Sequence, residues 1–265
     1  PLAGLWRIFM KLCIDVGNSQ IYAGLFDGDQ LVSRFRKITQ RGASSDELGV
    51  FFRQALRENG NDPADINAVG FCSVVPDLNH SMINACRRYF DTEPFVLRAG
   101  VKSGLKIRYK NPAEVGADRI AGAVAAVARY PDRNIVIIDL GTATTVEAVS
   151  SNRDYLGGAI VPGLGISMKA LEQNTARLPK VEIVQPQKAC GRSTVESIQS
   201  GLYWGHAGLI REISNRIGQE CFGASNPLVV GTGGFAGLFS DIGLFNHIHP
   251  DLVLEGISIA QEMNA

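Results

Sequence analysis

This sequence has no excess of either charge, no cysteine pair at metal-ligand or redox spacing, and no long apolar run. Lysine plus arginine and aspartate plus glutamate number 26 each, so no net field favours nucleic acid or an anionic membrane surface, and neither is expected as a partner. No stretch approaches the roughly 18 apolar residues of a membrane span. The five cysteines, Cys13, Cys72, Cys86, Cys190 and Cys221, lack CxxC spacing and several lie in apolar stretches. They are expected as reduced core residues of a cytoplasmic protein. Histidine is scarce, at four residues. His247 and His249 alternate on an expected strand and share a face, but no clustered ligand joins them, so a structural role outranks a zinc site. His80 and His206 add no pattern. Pro1 to Phe9 is apolar but too short for a signal peptide with its cleavage site, and reads as an extension before a domain beginning near Met10.

Glycine is abundant, at 29 residues, and clusters at the ends of apolar runs, where tight corners are needed. Two such corners stand out: Asp15-Val-Gly-Asn-Ser19 and Asp139-Leu-Gly-Thr-Ala-Thr-Thr145. Each aspartate follows an apolar run, Leu12 to Ile14 or Ile135 to Ile138, and so is expected at the end of a buried strand entering a turn. A glycine two residues on lets backbone N–H groups approach an anion. Carboxylates facing a phosphate require a cation between them, so the pair points to a metal-dependent nucleotide site. One Asp-x-Gly turn alone is usually a structural corner; two in matching contexts suggest a duplicated domain.

Periodicity supports the repetition. Strands are expected near Lys11 to Val16, Ile21 to Phe26 and Leu31 to Lys37. A helix near Asp46 to Glu58 follows, with Leu48, Phe51, Phe52, Ala55 and Leu56 on one face. Next come a strand at Ala68 to Val74, a helix at Asp77 to Tyr89, a strand at Pro94 to Arg98 and an alanine-rich helix from about Pro112 to Arg129. The second programme has strands at Ile135 to Leu140, Thr144 to Ser150 and Tyr155 to Val161, and helices at about Gly165 to Gln173 and Thr194 to Glu220. A buried strand at Leu228 to Gly231, a short helix after Gly234 and a closing helix from Asp251 to Met263 complete it.

Asp15-Val-Gly-Asn-Ser19, Gly116-Ala-Asp-Arg119, Asp139-Leu-Gly-Thr-Ala-Thr144, Gly157-Gly-Ala-Ile-Val-Pro-Gly163 and Gly231-Thr-Gly-Gly234, in this order, closely resemble the type III pantothenate kinase family. That family belongs to the acetate and sugar kinase, heat-shock ATPase and actin superfamily. The resemblance spans roughly Lys11 to Glu262, with serine at position 19 where threonine is commoner. It implies an α/β fold of two duplicated ribonuclease-H-like (actin-like ATPase) domains with an interlobe nucleotide cleft. The expected bounds are 1–9 for the extension, 10–133 for the N-terminal domain and 134–265 for the C-terminal domain. It also implies transfer of the γ-phosphoryl group of ATP to the primary alcohol of pantothenate, at the entry to coenzyme A synthesis, by a homodimer.

The resemblance implies a role for each motif residue. Asp118 is the general base; the residue type alone allows equally a helix cap or a partner of Arg119. Tyr109, Gly116, Ala117, Asp118, Arg119 and Thr194 contact pantothenate. Arg119 has the fork to hold a carboxylate, whereas Thr194 reads equally as the N-cap of the long helix. Asp15, Val16, Gly17, Asn18, Ser19, Gln20, Ile21 and Tyr22, together with Gly141, Thr142, Gly231, Gly233 and Gly234, bind ATP. Asp15 orders Mg²⁺ through waters, and Asp139 holds a monovalent cation, potassium or ammonium. Lys169 and Arg177 fit solvated faces better than anion contacts. Gly157-Gly158 and Pro162-Gly163 are read as bracketing a strand, and suit close approach of strands or of substrate, or a hinge. Leu202, Tyr203, Trp204 and Leu209 of the long helix suit core or subunit contact. Two rival functions remain: another small-molecule kinase, such as a sugar kinase, and a nucleotide-binding regulatory protein without turnover.

Overall fold

A computed structural model describes residues 10–223 and 226–265; the expected extension, Pro1 to Phe9, lies outside the described residues. The chain forms a mixed α/β fold with two sheets, divided between two compact units. One comprises the described residues up to Gly104 with Asn111–Ala125 and Val253–Ala265; the other comprises Leu105–Lys110 and Ala126–Leu252. Where the sequence reading draws one boundary at 133/134, the compact units are discontinuous. The segment Val253–Ala265 joins the first, because its helix packs there.

In the first unit, β1 (Met10–Val16), β2 (Gln20–Asp27) and β3 (Gln30–Ile38) form an antiparallel meander. Burial alternates along β3, as one solvated face requires, whereas β1 is central and nearly all buried. Helix α1 (Ser45–Glu58) starts at a capping box in which Ser44 and Glu47 satisfy each other's backbone N–H groups. Strand β4 (Ile66–Ser73) then runs parallel to β1, helix α2 (Pro76–Phe90) starts with proline in its first turn, and β5 (Phe95–Leu97) lies parallel to β4. The sheet order is β3-β2-β1-β4-β5. Leu12, Ile14, Phe52, Phe71 and Met82 are among the side chains filling the core beneath it.

The second unit repeats this connectivity. After the two-residue β6 (Lys106–Ile107) and helix α3 (Ala117–Arg129), strands β7 (Ile135–Leu140), β8 (Ala143–Val149) and β9 (Asp154–Pro162) form a meander. Helices α4 (Leu164–Asn174) and α5 (Thr194–Phe222) follow, then β10 (Leu228–Thr232), parallel to β7, and β11 (His247–Ile248), parallel to β10. The order β11-β10-β7-β8-β9-β6 mirrors the first sheet, with β6 added on the outer edge. Helix α6 (Leu252–Met263) closes the chain. Within the first unit, a Cβ at Gly256 of α6 would collide with the Ala121 carbonyl of α3, so the two helix backbones touch. Lys11, almost fully buried in β1, pairs through Nζ with Glu262 of the same helix.

Several expectations need correction. Helix α3 starts at Ala117 rather than near Pro112, because Pro112–Glu114 is a separate 3-10 turn capped by the Asn111 side chain and ended by extended backbone at Val115. The segment after Gly234 is a 3-10 stretch, Ala236–Ile242, broken at Phe239. Cys13, Cys72 and Cys86 are buried as expected, but Cys190 and Cys221 are exposed; all five are free thiols. Gly157 and Gly158 lie inside β9 rather than bracketing it. A Cβ at Gly158 would strike the Val146 carbonyl, which makes close strand approach its role.

His247 and His249 pack around Tyr130: His247 stacks on its ring with centroids 5.0 Å apart, and His249 Nε2 lies 2.7 Å from its hydroxyl. Among the described residues no cluster of three or more His, Cys, Asp or Glu could hold a metal. In α5, Tyr203 is buried against Phe239, whereas Trp204 is 40% exposed. His206 is buried, with Nε2 2.8 Å from Thr144 Oγ1, and desolvation lowers its pKa. Its neutral form therefore belongs to the folded state, and stability falls as pH drops below the unfolded value of about 6.5. Urea unfolding between pH 8 and 5 is expected to show a shallower pH slope for His206→Gln than for the unsubstituted chain.

Candidate functional site

The first Asp/Gly turn is built by the end of β1. Asp15 is half-buried and pairs in register with Tyr22 of β2 on one side and Cys72 of β4 on the other. The turn closes with Gly17 N–H donating to the Gln20 carbonyl at 3.1 Å. Thr39, just past β3, clamps it: its hydroxyl donates to the Gly17 carbonyl at 2.6 Å and its N–H to the Ser19 carbonyl at 3.1 Å. Asn18, Ser19 and Gln20 are exposed, whereas Val16 and Ile21 are buried, which limits those two to backbone contact with a ligand. Tyr22 carries the Arg36 guanidinium 3.9 Å above its ring.

Asp118 belongs to the same unit and occupies the first turn of α3, where a carboxylate suits the positive end of the helix. Its Oδ1 accepts from the Arg119 N–H at 2.8 Å. A Cβ at Gly116 would lie 2.5 Å from that oxygen, so glycine is what lets the carboxylate fold back over the helix start. Ala117 is buried, while Arg119 is partly exposed. Asp15 and Asp118, far apart in sequence, both act on the Cys72 thiol. Burial pushes its pKa up, and the two negative charges reinforce the shift.

The second unit contains the matching turn. Asp139 pairs with Thr145 of β8 and Thr232 of β10, and Gly141 N–H donates to the Ala143 carbonyl at 3.1 Å. Glycines on neighbouring segments crowd this turn. A Cβ at Gly233, where φ is +88°, would collide with Asp139 Oδ1 and lie 2.6 Å from Leu140 N. A Cβ at Gly163 would lie 2.6 Å from the Gly141 carbonyl oxygen. Thr142 and Gly234 remain exposed, and Gly231 is buried against the Phe245 ring. The structure thus gathers Asp139, Gly141, Thr142 and Gly231 to Gly234 around one corner.

Tyr109 lies in this unit, over Gly157 and edge-on to Tyr155, whose hydroxyl donates to the buried Glu147 carboxylate. Thr194 is the first residue of α5, not its cap: Ser193 is the N-cap, its hydroxyl accepting from Glu196 N–H at 3.2 Å. The sequence reading sets the cap one residue late, because adjacent serine and threonine carry the same capping chemistry. Thr194 lines a cavity of about 910 Å³, with Arg192, Ser193 and Ser197 among its polar residues and Leu171, Leu178 and Leu202 among its apolar ones. Lys169 and Arg177 are exposed, as expected. Thr39 and Cys72, which brace the first turn, were missed by sequence reasoning. A lone threonine after a strand and a cysteine in an apolar run carry no signal of their own.

Strand-end aspartates entering glycine turns recur on two mixed sheets of one connectivity, an arrangement suited to holding phosphate. A family profile for type III pantothenate kinase matches residues 11–216. A type III pantothenate kinase of Legionella pneumophila strain Corby is 54% identical over 255 residues, covering 96% of this chain and 99% of its own. One from Elusimicrobium minutum is 50% identical over the same length, again covering 96% and 99%. A conserved Baf family protein from Campylobacter jejuni, 20% identical, superposes with a TM-score of 0.61 over 96% of this chain and 98% of its own, a likeness of fold alone. The chain belongs to the type III pantothenate kinase family. It phosphorylates pantothenate with ATP, in coenzyme A biosynthesis. Among the described residues no helix is long and apolar enough to cross a membrane.

Proposed function

We propose that Asp118 is the general base that takes the proton of the pantothenate alcohol as the γ-phosphoryl group is transferred, and that both Asp/Gly turns serve one ATP. The supporting observation is that Asp15 and Asp118 act on the same buried thiol, so a phosphate-facing carboxylate and a base stand in one neighbourhood. Phosphoryl transfer passes through a loose transition state and asks for positioning and charge neutralisation, while the neutral alcohol needs a proton acceptor. Backbone from Asp15 to Tyr22, with Gly141, Thr142, Gly231, Gly233 and Gly234, holds the nucleotide. Arg119 takes the pantothenate carboxylate in a two-bond fork, and Tyr109, Gly116, Ala117 and Thr194 complete the acceptor site.

The residues present fit both cations of this reading. At Asp15 the exposed neighbours Asn18, Ser19 and Gln20 offer oxygens and amides, which suits a magnesium ion that keeps most of its waters. At Asp139 the carboxylate oxygen occupies the space that a Cβ at Gly233 would fill, in an oxygen-rich corner suited to potassium or ammonium. Bound there, the cations would neutralise phosphate charge. The chain's own groups order that charge, exclude water and accept the alcohol proton. The two matching sheets support reading the units as duplicated ribonuclease-H-like domains, and the exposed Trp204 of α5 supports a homodimer.

Purified protein with pantothenate and ATP is expected to form phosphopantothenate when Mg²⁺ is present, faster with potassium or ammonium than with sodium. Turnover unaffected by chelator would overturn the Asp15 assignment, and indifference to the monovalent ion would overturn that of Asp139.

A further inference from the structure

Strand β4 runs parallel to β1 and places Cys72 directly opposite Asp15. Cys72 Sγ lies 3.3 Å from Asp15 Oδ1. An ionised carboxylate only accepts, so the thiol S–H is the donor. Cys72 is fully buried while Asp15 is partly exposed, so the bond grips the carboxylate from its core side and leaves its outer side to the turn. We propose that Cys72 is a positioning residue that holds the Asp15 carboxylate toward the hydrated Mg²⁺ and the ATP phosphates. The proposal rests on the reading of Asp15 given above.

A thiol suits this task. It is a weak donor, so the carboxylate keeps most of its acceptor strength for water molecules while losing its freedom to rotate. Groups that hydrogen-bond a metal-facing carboxylate from behind orient it, and their removal lowers metal affinity even though they never touch the ion. The same thiol lies within electrostatic reach of Asp118, so a disturbed Asp15 side chain would also alter the surroundings of the base.

The test measures binding rather than turnover. ATP binding is followed by calorimetry in EDTA and across a Mg²⁺ titration for the unsubstituted chain, Cys72→Ala, Cys72→Ser, Asp15→Asn and the double variant Cys72→Ala/Asp15→Asn, with thermal unfolding of each. Cys72→Ala is expected to weaken Mg²⁺ binding in the ATP complex about tenfold, with ATP binding in EDTA unchanged. Cys72→Ser, which keeps a donor, should stay within about twofold of the unsubstituted chain. In the Asp15→Asn background, Cys72→Ala should add nothing. Should Cys72→Ala not fold, Cys72→Val fills the volume without a donor and carries the same expectation. Unchanged Mg²⁺ affinity in Cys72→Ala, or a further loss in the double variant, overturns the proposal. If Asp15→Asn is impaired while Cys72→Ala is not, only the positioning role falls. If Asp15→Asn binds Mg²⁺ as the unsubstituted chain does, the Asp15 reading itself falls and the proposal with it.

Discussion

Asp118→Asn is expected to lower turnover about 10²- to 10⁴-fold, the usual worth of a general base, while the protein folds and binds ATP normally. The substitution is well isolated. Asp118 Oδ1 accepts from the Arg119 N–H at the start of α3, and an asparagine carbonyl oxygen accepts the same bond, so the local helix start is kept. What disappears is a carboxylate able to take a proton. The measurement is kcat and KM for pantothenate and ATP, with nucleotide binding followed separately. The loss should fall on kcat. Near-normal turnover would remove Asp118 from the role of base and send the search for one elsewhere.

Gly233→Ala should also be damaging, by a different route. The residue sits at φ +88°, where side chains other than hydrogen cost on the order of 1–3 kcal/mol. The new methyl would also displace the Asp139 carboxylate and lie 2.6 Å from the Leu140 backbone nitrogen, which cannot swing clear. The corner must therefore open, pulling the second Asp/Gly turn out of shape. A loss of roughly tenfold or more in ATP affinity is expected, with the unfolding free energy lowered by about 1–3 kcal/mol. Calorimetric titration with ATP and urea unfolding give the two numbers. Normal ATP affinity in a folded Gly233→Ala protein would remove this corner from the nucleotide site.

Much of the fold was legible because buried strands leave blunt signals. Ile135 to Leu140 was bounded correctly, and β1, β2, β3 and α1 to within a residue or so, since apolar runs ended by Asp-x-Gly, and a Ser-x-x-Glu box before an apolar face, leave little freedom. The start of α3 was misread because Pro112-Ala-Glu114 has the composition of a helix's first turn. Only the extended backbone at Val115 reveals that the turn stops there. The two-residue β6 is too short for any periodicity. In the site, glycines announced themselves, because close approach to a carboxylate or carbonyl leaves no substitute. The braces did not: Cys72 in an apolar strand looks like any core residue, and Thr39 becomes a clamp only once β3 brings it back over Gly17.

The pairing of Lys11 with Glu262, and the seating of the closing helix within the first unit, bear on how the chain is assembled during synthesis. A ribosome delivers Lys11 and Cys13 early, but the helix that covers them emerges after the whole of 126–252. The half that is made first is therefore finished last, and its lysine waits in solvent for a carboxylate that has not yet been translated.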